Sequence, residues 1–186
     1  MKLQTGFTLI ELMIGITIGL VILIGAESLF MTTFGANLSD TKQLRFEQTL
    51  QVLSENMVSE IRRAGFSKPN ISLTKQANNL YYNTQTNCIT FSHSTPDANE
   101  VFYGYKLQNK IVYYYNSITT NGSCANLTNW TPVTDSSQIK INTLSFTTTG
   151  TSLVNITFAA EAVGLTLADG TVVNRNTSAS VHIRNN

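Results

Sequence analysis

Charge is what this chain most conspicuously lacks. Asp, Glu, Lys and Arg together supply 12% of its 186 residues, about half the share usual in a soluble domain, and they nearly cancel to a net +1. Without a clustered basic face there is no electrostatic footprint for nucleic acid. Histidine is limited to His93 and His182, and neither has an acid or a cysteine at metal-ligand spacing, so no metal is expected. Scattered Asp97, Glu100, Asp135 and Asp169 form no Asp-rich calcium loop; Asp169-Gly170 reads as a turn, and "HSTPDANE" around His93 as a solvated loop. P-loop, dinucleotide and nucleophile-elbow patterns are all missing. Neither catalytic residues nor a cofactor is expected, and the chain is not read as an enzyme.

Polar character comes instead from neutral residues, as in "NSITTNGSCANLTNWTPVTDSS", a surface suited to an exported protein. The two cysteines, Cys88 and Cys124, are an even count in such a domain and read as a disulfide. Seven tyrosines, among them Tyr103, Tyr105 and Tyr113 to Tyr115, read as strand residues and cross-strand partners. Only Lys106 and Lys110 are interleaved with them, too few for a nucleic-acid-stacking surface.

The amino terminus holds the one long apolar run. Phe7 to Phe30 would extend roughly 36 Å as a helix, enough to cross a hydrocarbon core of about 30 Å. It is too long for a signal peptide, and "GAESLF" at its end is a poor cleavage site. Glu11 lies within it, although a carboxylate in a spanning helix costs roughly 2.5–3.5 kcal/mol. No Lys or Arg occurs between Lys2 and Lys42. A cationic partner for Glu11 must therefore come from another chain, or from an amine freed by cleavage just before Phe7.

Gly6-Phe7-Thr8-Leu9-Ile10-Glu11, behind a short basic leader and ahead of an apolar helix, resembles the processing site of type IV prepilins and type II secretion pseudopilins. The resemblance implies that a prepilin peptidase cuts after Gly6 and methylates the new Phe7 amine. It also implies that Glu11 pairs with the terminal amine of a neighbouring subunit during assembly. Gly15 and Gly19 form a small-xxx-small pair that lets helix backbones approach. Major pilins usually carry a proline late in this segment; here Ser28 stands there, and no proline precedes Pro69.

Phe46, Leu50, Leu53, Met57, Ile61 and Ala64 recur at three and four residues, the stripe of an amphipathic helix, with Arg62 and Arg63 in its last turn and Gly65 as its stop. Beyond Pro69 the pattern turns to strands. "VFYGYKL" and "KIVYYYN" flank Gln108-Asn109 as a hairpin, "KINTLSFTTT" and "LVNITFAAEAV" flank a turn at Gly150, and "SASVHIRNN" makes a last strand. The expected fold is α+β: a long amino-terminal transmembrane and amphipathic helix packed on a mainly antiparallel β-sheet head. The segments are a leader over 1–6, a membrane and assembly helix over 7–30, its amphipathic continuation over 31–66, and the head over 67–186.

"SEIRRAGF", the Tyr-rich hairpin and "VHIRNN" resemble minor pilins of the PilW kind and the related J-type pseudopilins. That resemblance implies a type IV minor pilin that primes filament assembly and is carried to the pilus tip. Its implied partners are other minor pilins, the major pilin, the prepilin peptidase and the inner-membrane assembly platform. Its implied place is the inner membrane of a Gram-negative bacterium with the head in the periplasm, and then the pilus. The alternatives are a J-type pseudopilin and an adhesive or DNA-uptake pilin.

Overall fold

The computed structural model describes residues 8–76, 80–97, 99–166 and 170–185. The chain divides into two compact units, Met1–Lys42 and Gln43–Asn186; helix α1 (Leu9–Ile61) begins in the first and ends in the second.

In the first unit no described residue is buried, and Leu9, Ile10, Val21, Ile24 and Leu29 each expose more than 60% of their surface. The helix is long and apolar enough to cross a membrane. Its threonine hydroxyls are satisfied without water: Thr17 Oγ1 donates to Ile14 O at 2.9 Å, Thr32 Oγ1 to Ser28 O at 2.7 Å and Thr33 Oγ1 to Leu29 O at 2.9 Å. Such back-bonding lets threonine sit in an apolar helix without an orphan donor.

In the second unit the stripe read from the sequence becomes a core face. Phe46, Leu50, Leu53, Met57 and Ile61 are buried, as is Ala64 just beyond the helix. They pack with two antiparallel sheets. The first has five strands in sequential order: β1 (Tyr82–Gln85), β2 (Cys88–His93), β3 (Val101–Gln108), β4 (Ile111–Ser117) and β5 (Trp130–Pro132). The second has three: β6 (Ile139–Thr149), β7 (Leu153–Thr166) and β8 (Val172–His182). A mainly antiparallel head was expected as one sheet; its division in two is settled by packing, because β6 runs against the first sheet while pairing only with β7.

Alternation sets which face is inside. Val154, Ile156, Phe158, Ala160 and Ala162 of β7 are buried at every second position. On β6 the buried set runs Ile139, Ile141, Leu144, Phe146, and the skipped beat falls where the register with β7 shifts between Ile141 and Thr143.

Three boundaries differ from the sequence reading. The β3–β4 turn is Asn109-Lys110, not Gln108-Asn109: φ is 53° at Asn109 and 64° at Lys110, the pair of left-handed residues that a type I′ hairpin requires. Helix α1 ends at Ile61, so Arg62 and Arg63 lie in the turn that follows it rather than in its last turn. The last strand starts at Val172 and ends at His182, whereas the expected one began at Ser178.

A second apolar cluster forms on the outer face of the five-stranded sheet from Phe102, Tyr115, Trp130 and Cys88, with Tyr113, Cys124 and Leu127 against it. Trp130 can lie flat there because the strand beneath it carries Gly104: a Cβ would stand 2.8 Å from the indole Cη2 and 2.9 Å from Ile89 O.

Candidate assembly site

Gly6 and Phe7, the expected cleavage and methylation residues, lie outside the described residues. The first described residue, Thr8, is the amino-terminal cap of α1. Its Oγ1 accepts from the Glu11 backbone N–H at 3.3 Å, while Glu11 Oε2 accepts from the Thr8 N–H at 3.1 Å and from the Thr8 hydroxyl at 3.0 Å. This is a capping box, in which a Thr and a Glu three residues on satisfy each other's orphan donors. The Thr-x-x-Glu signature ahead of an apolar run was present in the sequence and was missed there. Glu11 thus has partners within its own chain, but they are neutral dipoles. They shelter the carboxylate without cancelling its charge.

Gly15 and Gly19 face open space: a Cβ at either would meet nothing within 4 Å. The close approach that a small-xxx-small pair permits is not used within this chain.

The carboxyl end of α1 carries a polar junction that the sequence did not announce. His93, read as part of a solvated loop, is 2% exposed at the end of β2 and stacks on Tyr103 with ring centroids 4.5 Å apart. Its Nδ1 lies 3.1 Å from Ser94 O and its Nε2 is 3.6 Å from Glu60 Oε2. That second distance is longer than a hydrogen bond, so the contact is electrostatic. The His93 imidazole nonetheless holds the Glu60 carboxyl below the ordinary glutamate range against the opposing effect of burial, and Arg63, 3.8 Å away, helps. Just beyond, Gly65 N–H donates to Ser92 O at 2.9 Å and Ser94 N–H to Phe66 O at 2.8 Å, sewing the helix exit to β2. Further back along α1, Glu47 Oε1 accepts from Arg175 Nη2 at 2.8 Å and Nε at 3.2 Å, tying the helix to β8.

The tyrosines sit where cross-strand partners sit. Tyr105 pairs with Tyr114 in register, with ring centroids 5.2 Å apart, and Tyr103 stacks on Phe91 at 5.7 Å. Burial raises the phenol pKa of both Tyr105 and Tyr114, so they are neutral packing groups. Cys88 and Cys124 form a disulfide with Cα atoms 5.9 Å apart, which fixes the 118–129 segment over the outer apolar cluster. Asp97 and Glu100 do not converge with His93; Glu100 accepts from Thr74 N–H and Oγ1, each at 2.8 Å. Among the described residues no group of three or more His, Cys, Asp or Glu gathers to hold a metal ion.

Against known proteins, residues 39–183 match the family described as prepilin peptidase-dependent protein B. The chain belongs to that family. That match takes in the outer part of α1 and strands β1 to β8, and residues 1–26 separately match the prokaryotic N-terminal methylation motif, which includes the Gly6-Phe7 junction and Glu11. The type IV-like pilin TTHA1219 from Thermus thermophilus shares the fold, with a TM-score of 0.50 at 12% identity over 75% of this chain and 96% of that one. No curated protein sequence matches the chain. An apolar helix capped by Thr8 and Glu11, a prepilin motif and a pilin-like α+β head together make this prepilin peptidase-dependent B protein a membrane-anchored type IV pilin-like protein. Its fold and family are those of a structural subunit.

Proposed function

We propose that this protein is a minor pilin that joins other minor pilins in the inner membrane, primes filament assembly and is carried to the pilus tip. A prepilin peptidase cuts after Gly6 and methylates Phe7, leaving the head in the periplasm of a Gram-negative cell. Glu11 then meets the terminal amine of a neighbouring subunit, and Gly15 and Gly19 allow the helices to close on one another. The observation that carries this reading is the first unit itself: none of its described residues is buried by the chain, yet a carboxylate with no cationic partner among the described residues lies at its start. Such a surface needs lipid, and such a charge needs a counter-charge from elsewhere.

Glu11→Gln and Thr8→Ala separate the two roles of Glu11. Glutamine serves in a capping box as glutamate does, so Glu11→Gln removes only the charge. Thr8→Ala removes the capping hydroxyl, at about 1 kcal/mol, and keeps the charge. Glu11→Gln should be processed and inserted normally, yet recover at least tenfold less of the other minor pilins on co-purification, with filament counts falling in step. Thr8→Ala should recover close to wild-type amounts. Wild-type recovery with Glu11→Gln would overturn the pairing role. Deletion of the gene should leave abundant major pilin in the membrane and few surface filaments. Normal pili with lost protein secretion would assign the subunit to a secretion pseudopilus instead.

A further inference from the structure

Lys106 is an anomaly in the head. On the outer face of β3 it stands in register between Cys88 of β2 and Tyr113 of β4, beside the apolar cluster that the 118–129 segment covers. An apolar side chain would bury there without cost, yet a lysine occupies the position and is 5% exposed. Its ammonium has three donors. One reaches Asn126 O at 3.3 Å, and among the described residues no carboxylate stands within ion-pairing distance. Long charged side chains usually bury their stems and keep the charge in water; this one is roofed at its head by the Asn126 segment. Burial draws its pKa below the ordinary lysine value, as befits a cation held without a counter-charge.

Lys106 also lines a cleft of about 500 Å³ between the β1–β2 turn, the β3–β4 turn and β6. Its polar wall is Lys106, Lys110, Asn87, Gln108, Asn109 and Asn142, and no carboxylate lines it. Two of the amides are already oriented: Asn87 Nδ2 donates to Leu107 O at 3.0 Å and Asn142 Nδ2 to Glu161 Oε2 at 3.0 Å, each retaining a further N–H. Lys110 adds a second cation at a left-handed turn position where glycine is the usual residue, so the charge is kept there despite its backbone cost.

We propose that this cleft binds an oxyanion, a carboxylate or a phosphate group, with Lys106 as the buried counter-charge, Lys110 as the second cation and the amide side chains as additional donors. The pairing would supply acceptors for the Lys106 ammonium protons that the protein leaves open; Glu161, the carboxylate bonded to Asn142 of the lining, pairs with Lys140 and acts on Lys110, which leaves Lys106 as the principal cation of the site. Two lysines and several amides in a small polar cleft suit a compact, highly hydrated anion rather than an apolar ligand.

The test uses the full chain in nonionic detergent, unfolded by urea and followed by fluorescence of Trp130, the sole tryptophan. Inorganic phosphate, acetate and chloride are compared at matched ionic strength. Phosphate stabilises folded proteins generally by exclusion from their surface, so the quantity read is the difference between wild type and Lys106→Met, which keeps the stem and loses the amine. A dissociation constant of about 5 mM would raise the folded-to-unfolded ratio about tenfold at 50 mM ligand, for wild type alone. Lys110→Gly, which suits the turn, should lose part of the gain and serves if Lys106→Met does not fold. A specific gain from phosphate, from acetate or from both supports the site and names the group it prefers. Equal gains for wild type and whichever variant is used would overturn it.

Discussion

Replacing Gly65 by alanine perturbs the head at the point where α1 hands over to the sheets. Two costs are separable there. Gly65 has φ +75°, a left-handed conformation that costs an L residue about 1–2 kcal/mol. An added Cβ would also overlap the backbone oxygen of Asn185 and stand 2.7 Å from Cδ2 of Tyr81. A ring can swing aside, but a backbone carbonyl moves only with its segment, and overpacking of this kind costs a further ~1–3 kcal/mol. Gly65→Ala should therefore destabilise the head by about 2–5 kcal/mol. Gly150 supplies the control: its φ is +67°, and a Cβ there would meet nothing within 4 Å. Gly150→Ala should cost only the backbone share, about 1–2 kcal/mol. Trp130, 7% exposed, reports unfolding of the head by fluorescence in a urea titration of the detergent-solubilised chain. A Gly65→Ala midpoint equal to or above that of Gly150→Ala would refute the steric reasoning, for the clash would then have relaxed at no cost.

Two further perturbations test the head. The folded-state pKa of Glu60 is depressed, so its ionised form adds stability that is present above the unfolded value of about 4.3 and is lost as pH falls through the folded value. Urea midpoints between pH 6 and pH 3 should fall less steeply for Glu60→Gln than for wild type; parallel curves would refute the Glu60–His93 coupling. The disulfide joins residues 36 positions apart, and opening it removes up to about 4 kcal/mol in the chain-entropy account. Reductant, or Cys88→Ser with Cys124→Ser, should therefore lower the urea midpoint, and an unchanged midpoint would contradict this.

Features with a local physical signature were legible in the sequence. The Phe46-to-Ala64 stripe needed only the helical period, and every member of it is buried. Alternation gave the strands of β6 and β7, and the even cysteine count gave the bond that joins Cys88 to Cys124. What was misread depended on contacts distant in sequence. His93 lies in a run of loop-forming residues, and only the arrival of Glu60 and Tyr103 makes it a buried strand residue. The "VVNRNT" start of β8 does not register as strand because only Val173 and Val181 of that strand are buried, while the rest of it faces outward or is half covered. Strands β1 and β5, four and three residues long, are too short for any periodicity to register. The hairpin slipped by one residue because a lysine holds the left-handed position at which glycine would have marked the turn. In the assembly region the Thr8–Glu11 box has a local signature, Thr-x-x-Glu ahead of an apolar run, that is legible independently of the charge on Glu11.

The two units make assembly and folding separable. Every core residue of the head lies at or beyond Phe46, whereas the described part of Met1–Lys42 contributes none. Stability of the head is therefore set by the helix stripe, the two sheets, the Gly65 exit and the Glu60–His93 contact, all within Gln43–Asn186. Nothing in that set depends on Glu11. A Glu11→Gln chain should unfold at the wild-type urea midpoint by Trp130 fluorescence while losing its partners, whereas Gly65→Ala should lower the midpoint with the capping box untouched. Recruitment that follows Glu11 and ignores modest losses of head stability would locate the assembly interaction in the apolar helix. Recruitment that falls with head stability alone, indifferent to the charge at Glu11, would instead make the head surfaces the principal contact, and the carboxylate a helix cap and no more.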